Sequence, residues 1–155
     1  MNKGVCLLLL ILFAQVSVFA DEQIFLQNRD YYYTLKSRIQ SSEKTIYCVM
    51  YLMNINTDID YDIVTGLCKE LVKAEKRGVD VKIILDRNIQ FWKKGKGKNK
   101  PENKNKQAYE YLKSRGIEVK YEGLKRITHA KMIVIDGEYC FIGSTNWTYS
   151  AFMKN

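Results

Sequence analysis

His129-Ala130-Lys131-Met132-Ile133-Val134-Ile135-Asp136, followed by Gly143-Ser144-Thr145-Asn146, is the stretch whose reading decides the fold. His129 to Ile142 reads as two strands joined at Asp136-Gly137, a favoured hairpin turn pair. His129 is the only histidine of the chain and lies two residues before Lys131. In an extended segment both side chains therefore emerge from the same face. A lone histidine is usually structural and a lone lysine usually solvated. The two side by side at the start of a core strand fit neither default. Gly143-Ser144-x-Asn146 follows the partner strand, and its small residues let backbone and short polar groups approach a ligand. In an antiparallel hairpin, residues 129–131 and 142–146 share the open end. Imidazole, ammonium, hydroxyl and amide groups of His129, Lys131, Ser144 and Asn146 then converge on one spot. That set suits a phosphate: a nucleophile or base, a cation and two hydrogen-bond donors.

Working outward, the rest of the chain alternates strands and helices. Asn28 is positioned to cap a first helix in which Tyr31, Leu35 and Ile39 recur every four residues. Of Tyr31-Tyr32-Tyr33, one ring is expected inward and two at the rim. Thr45 to Met53 reads as a strand, apolar on both faces as in a central strand covered by helices. Thr57-x-x-Asp60 resembles a capping box, after which Ile59, Ile63, Leu67 and Leu71 mark one helix face. Arg77-Gly78 ends that helix, and Val79 to Leu85 is a second core strand. Residues 107–115 read as a short helix stopped by Gly116, and Ile117 to Tyr121 as another strand. The succession predicts a three-layer α/β architecture with a central mixed sheet flanked by helices.

The 155 residues suffice for one domain with a real core. Met1 to Ala20 has a charged start at Lys3, an apolar middle and a small-residue end before Asp21, the pattern of a secretory signal peptide. The expected organisation is thus a leader over 1–20 and one domain over 21–155. The chain would be periplasmic or secreted, or, if residues 5–20 stay attached, membrane-anchored. Removing 1–20 removes Lys3 and no acidic residue, so the net charge falls from +8 to +7. Such a surplus favours a polyanionic partner, either nucleic acid or an anionic phospholipid surface. Lys93, Lys94, Lys96 and Lys98 crowd a Gly-rich stretch beside Phe91 and Trp92. This reads as a surface loop that either aids solubility or tracks phosphates, with Trp92 able to stack on a base. Cys48, Cys68 and Cys140 form no CxxC pair and read as small buried hydrophobes.

The spacing H-x-K-x4-D-x6-G-S-x-N, over His129, Lys131, Asp136, Gly143, Ser144 and Asn146, resembles the HKD motif of the phospholipase D superfamily without gap or substitution. Thr45 to Leu52 is similar to that family's first core strand, and Lys76 to Asp86 to its RGV segment. With one motif and an apparent leader, the chain is similar to the small bacterial HKD endonucleases that act as homodimers. The resemblance implies that His129 attacks phosphorus and forms a phosphohistidine. A second histidine protonates the leaving oxygen and later activates water. Lys131 and Asn146 would hold the non-bridging oxygens, Ser144 would add a hydrogen bond, and Asp136 would support the site or the subunit contact. No cofactor and no metal is expected, and no clustered carboxylates to bind one are visible. Such relatives continue through a Ser-Glu-Asn-like segment whose glutamate orients the catalytic histidine. This chain stops at Asn155, which reads as a C-terminal truncation.

Three functions compete. The leading one is a metal-independent endonuclease acting on DNA or RNA. The second is a phospholipase D or phosphatidyl-transfer enzyme. The third is an inactive nucleic-acid-binding remnant. The mechanism needs two imidazoles and the chain has one. Lysine, titrating near 10.4, donates protons poorly at pH 7. A symmetric homodimer with one shared active site is therefore expected.

Overall fold

The computed structural model describes residues 22–59, 61–87, 103–123 and 127–153. Residues 1–20, expected to be a leader, and the lysine stretch, including Phe91, Trp92, Lys93, Lys94, Lys96 and Lys98, lie outside the described residues. The elements run α1 (Asn28–Ser41), β1 (Thr45–Met50), α2 (Ile63–Lys76), β2 (Asp80–Leu85), α3 (Lys106–Lys113), β3 (Glu118–Tyr121), β4 (Lys131–Ile135), β5 (Tyr139–Ile142) and α4 (Tyr149–Met153). The strands form one mixed sheet in the order β3-β2-β1-β4-β5. β1, β2 and β3 are parallel, and β4 and β5 join antiparallel. The expected α/β class, a central mixed sheet with flanking helices, is the one found, while of the expected three layers the described residues form the sheet and the helical layer on one of its faces.

Every described helix adds side chains to one core. Leu35 and Ile39 from α1, Leu67 and Leu71 from α2, Leu112 from α3 and Phe152 from α4 meet Ile46, Met50, Ile83 and Ile133 of the sheet. Tyr31 turns inward onto Phe152 and Phe141, and burial pushes its phenol up to about 12. The opposite sheet face is not covered by described residues: Tyr47 is 43% and Ile142 77% exposed there. β1 is thus buried on one face only, whereas its apolar content suggested both. Its outward Tyr47 is accommodated by a hydrogen bond to Asp80.

Three local expectations need correction. α2 starts at Ile63, not at a Thr57 box. Asp62 caps it, accepting from the Thr65 N–H at 2.7 Å and the Thr65 hydroxyl at 2.6 Å, while Ile59 is exposed outside the helix. β1 stops at Met50 rather than Met53, because the Met53 N–H leaves the ladder to bond the Asn105 side chain. Of the cysteines, Cys48 and Cys68 are buried and Cys140 is exposed on β5. Burial pushes the Cys48 thiol up to about 12, so it behaves as an inert hydrophobe.

The RGV segment has a mechanical role. Gly78 takes a left-handed φ of 94° that lets α2 turn into β2. The Arg77 guanidinium donates to the Ile39 and Ser42 carbonyls, closing the free C-terminus of α1.

Candidate active site

The C-terminal ends of β1 and β2 meet the start of β4 and the end of β5 at one rim of the sheet. Open α/β sheets bind ligands outside such strand ends. His129 and Lys131 enter here. Tyr51, just past β1, donates its N–H to the Ala130 carbonyl at 2.8 Å, extending the ladder to the residue between them. Gly143 donates to the Lys131 carbonyl at 3.2 Å, which brings the Gly-Ser-x-Asn segment to the same end. That segment is pinned in turn: Trp147 donates to Leu52 at 2.9 Å, and Asn54 donates to Trp147 at 2.8 Å. The Trp147 side chain is fully buried, so Asn146 sits on a rigid support.

The four polar groups expected to converge therefore share this rim, in contrasting environments. The His129 imidazole is exposed. Lys131 is only 4% exposed. Its ammonium donates to the His129 carbonyl at 2.8 Å, and burial draws its pKa down from the ordinary lysine value. Ser144 is exposed and Asn146 half-buried. The Asn146 amide oxygen is buried and has no hydrogen-bond partner among the described residues. A buried polar atom left unsatisfied costs stability, and rotating the amide would offer its N–H group at the same place.

Asp136 does not join this cluster. It occupies the hairpin turn at the far end of β4, about 16 Å from Lys131 at 3.3 Å per residue. Its φ of 56° and the 72° of Gly137 make the turn left-handed at both positions. Its carboxylate accepts the backbone N–H groups of Glu43 at 3.0 Å, Lys44 at 2.8 Å and Thr45 at 2.8 Å. Burial acts to raise its pKa, but these three bonds and the Lys44 charge together hold it below the usual carboxylate range. Expected to support the site or the subunit contact, and set apart from the other motif residues by this geometry, Asp136 ties the hairpin to the start of β1.

Three site residues escaped the sequence reading. Asp86, buried at the end of β2, accepts the Thr128 N–H at 2.8 Å and so fixes the approach to His129. Asn105, fully buried, donates to the Tyr51 carbonyl at 2.8 Å and the Asp86 carbonyl at 2.6 Å, while accepting from Met53 at 2.7 Å. It ties the ends of β1 and β2 together. Tyr51 touches both His129 and Lys131 with its ring. Asp86 had a signal, an acid ending a core strand. Asn105 was hidden between Lys104 and Lys106 in a run that reads as solvated. Among the described residues, no group of His, Cys, Asp and Glu is placed to hold a metal ion. No described helix is long and apolar enough to cross a membrane.

Residues 35–155 match the family described as "Cardiolipin synthase, PLD-like domain". The chain belongs to the phospholipase D superfamily. A phospholipase D of Rickettsia prowazekii is 33% identical over 118 residues, 76% of this chain and 47% of that protein. The DISARM protein DrmC of Bacillus paralicheniformis is 29% identical over 124 residues, 78% of this chain and 45% of that protein. The chain thus spans about half the length of the curated relatives it matches. Among solved structures, Nuc from Salmonella typhimurium, a phospholipase D family member, superposes with a TM-score of 0.58 at 28% identity. The match covers 79% of this chain and 68% of that one.

Proposed function

We propose that this phospholipase D-superfamily chain is a phosphodiesterase that cleaves nucleic acid, DNA or RNA, through a covalent histidine intermediate. The observation that carries the reading is the pairing of an exposed imidazole, His129, with the buried ammonium of Lys131 at a rim shared with Asn146. In the first step a neutral His129 ring nitrogen bonds to phosphorus. The P–O bond to the leaving nucleoside breaks, and that oxygen takes a proton from a second imidazole. In the second step that imidazole removes a proton from water. The water oxygen bonds to phosphorus, and the N–P bond breaks to restore His129. Lys131 and Asn146 hold the non-bridging oxygens, and Ser144 adds a hydrogen bond. The second imidazole would come from His129 of another copy across a two-fold axis. The +8 charge supports a polyanionic substrate.

One observation favours lipid instead. Ile127, 80% exposed, and Ile142, 77% exposed, lie close in sequence to His129 and Gly143 and would suit a bilayer surface. Residues 1–20, read as an export leader, would place either activity outside the cytoplasm. The deciding experiment gives the purified chain DNA, RNA and phosphatidylglycerol vesicles, each with excess EDTA. Nucleic-acid cleavage that persists in EDTA is expected. Cleavage of lipid alone would establish the second reading, and activity lost in EDTA but restored by a divalent ion would refute the histidine mechanism. Sedimentation across a dilution series should show activity falling with the dimer.

A further inference from the structure

We propose that Tyr51 is the positioning residue of this site: its ring orients the His129 imidazole and supports the Lys131 ammonium. The inference deepens the reading of His129 as nucleophile and rests on it. An exposed histidine side chain changes rotamer on the picosecond to nanosecond scale. A nucleophile that must face phosphorus in line needs that freedom removed. Among the described residues no side chain hydrogen-bonds the His129 ring, so within them hydrogen bonding does not fix it.

The Tyr51 ring lies against it instead. The two ring centroids are 4.4 Å apart and the planes cross at 65°, a tilted edge-to-face contact. The same phenol ring lies 5.0 Å from the Lys131 ammonium, within reach of a cation–π contact. Held by the His129 carbonyl and by this ring, the ammonium has a fixed place despite its burial. One aromatic side chain thus contacts both groups proposed to act on phosphate.

Tyr51 is itself well held. Its N–H bonds the Ala130 carbonyl, and its carbonyl takes the Asn105 amide. Asn105 also holds the carbonyl of Asp86, whose carboxylate fixes Thr128 beside His129. The ring and the histidine therefore hang from one frame, and a shift of either is resisted by the same bonds. Tyr51→Phe keeps the ring's place and bulk, so it separates the role of the ring from that of the hydroxyl.

His129 is the only histidine, so its carbon-bound ring protons are identified directly in the NMR spectrum of the full chain. In the wild type and in Tyr51→Phe, ring current should move at least one of them upfield. In Tyr51→Leu both should return to random-coil positions. Tyr51→Leu should lower kcat on the order of 10²-fold, with KM little changed and melting still cooperative. Tyr51→Phe should stay within a few-fold of wild type. Random-coil imidazole signals in the wild type, or an unchanged kcat in a folded Tyr51→Leu chain, would overturn the proposal. Should Tyr51→Leu fail to fold, the wild-type shift and its retention in Tyr51→Phe decide. A wild type that shows the shift yet cleaves neither nucleic acid nor lipid would overturn the nucleophile reading, and the catalytic role of Tyr51 with it, while the ring packing itself stands.

Discussion

The two ends of the β4–β5 hairpin are built to opposite specifications. At the turn, the Asp136 carboxylate collects three backbone N–H groups, and the left-handed Asp136-Gly137 pair closes the loop. At the open end, an ammonium is buried, an amide oxygen lacks a partner among the described residues, and an imidazole stands exposed. The turn end uses its polar groups to hold the chain. The open end leaves the Asn146 amide oxygen buried and unsatisfied among the described residues, at a cost in stability, and that amide, once turned, and the Lys131 ammonium are donors that a phosphate would engage. One motif therefore contains two kinds of residue, and substitutions at its two ends should fail differently.

The largest effect should come from the open end. Lys131→Met should cut turnover on the order of 10²-fold, the loss typical when one charge-stabilising donor is removed. It should not cost stability. The Lys131 pKa is drawn down on folding, so its charged form is penalised in full in the fold at pH below the folded value, and the penalty fades as pH rises from there and is gone above the ordinary lysine value near 10.4. The variant's stability relative to wild type should thus be greatest near neutrality and shrink towards pH 11, as denaturant melts at several pH values would show. A clear destabilisation at pH 7 would mean that Lys131 serves the fold, and the contrast would break.

The turn end should show the reverse. Asp136→Ala should lower stability by about 1–3 kcal/mol, the range for hydrogen bonds to a charged acceptor at a half-exposed site. Assayed below its melting temperature, it should retain most activity. The sign with pH follows from the lowered carboxyl. Asp136 stabilises fully above about pH 4, its ordinary titration range, and that support is lost as pH falls through the lower folded value. Melts of wild type and variant should converge in acid. A variant that melts like wild type at pH 7 but is inactive would move Asp136 to the catalytic side.

The smallest effect concerns the lysines outside the described residues. Replacing Lys93, Lys94, Lys96 and Lys98 with Gln should flatten the salt dependence of duplex binding, by about 0.9 in log–log slope for each phosphate that a lysine no longer neutralises. An unchanged slope would assign these lysines to solubility.

Much of this was legible in the sequence because it depends on local pattern. β-Branched runs bounded by Gly78, Gly116 and Asp136-Gly137 marked β2, β3, β4 and β5, and the Tyr31, Leu35, Ile39 period marked α1. The convergence of His129, Lys131 and the Gly143 segment followed from hairpin geometry alone. What stayed hidden depends on distant partners. The role of Asp136 is set by N–H groups more than 90 residues away in sequence. Asn105 acquires its purpose only where β1 and β2 end side by side. Tyr51 looks like one more core aromatic until β4 brings His129 against it. The start of α2 was missed because Thr57 and Asp62 are both competent caps, and packing chose the second.

The central claim is that His129 forms a bond to phosphorus during turnover. Mixing the chain with excess oligonucleotide in EDTA, stopping the reaction with alkaline denaturant and mapping the digest by mass spectrometry tests it directly. The predicted result is a nucleotidyl adduct on the peptide containing His129, stable in base and lost in acid, and absent from His129→Ala, which should be folded and inactive. An adduct on any other residue, or full turnover by His129→Ala, would contradict it.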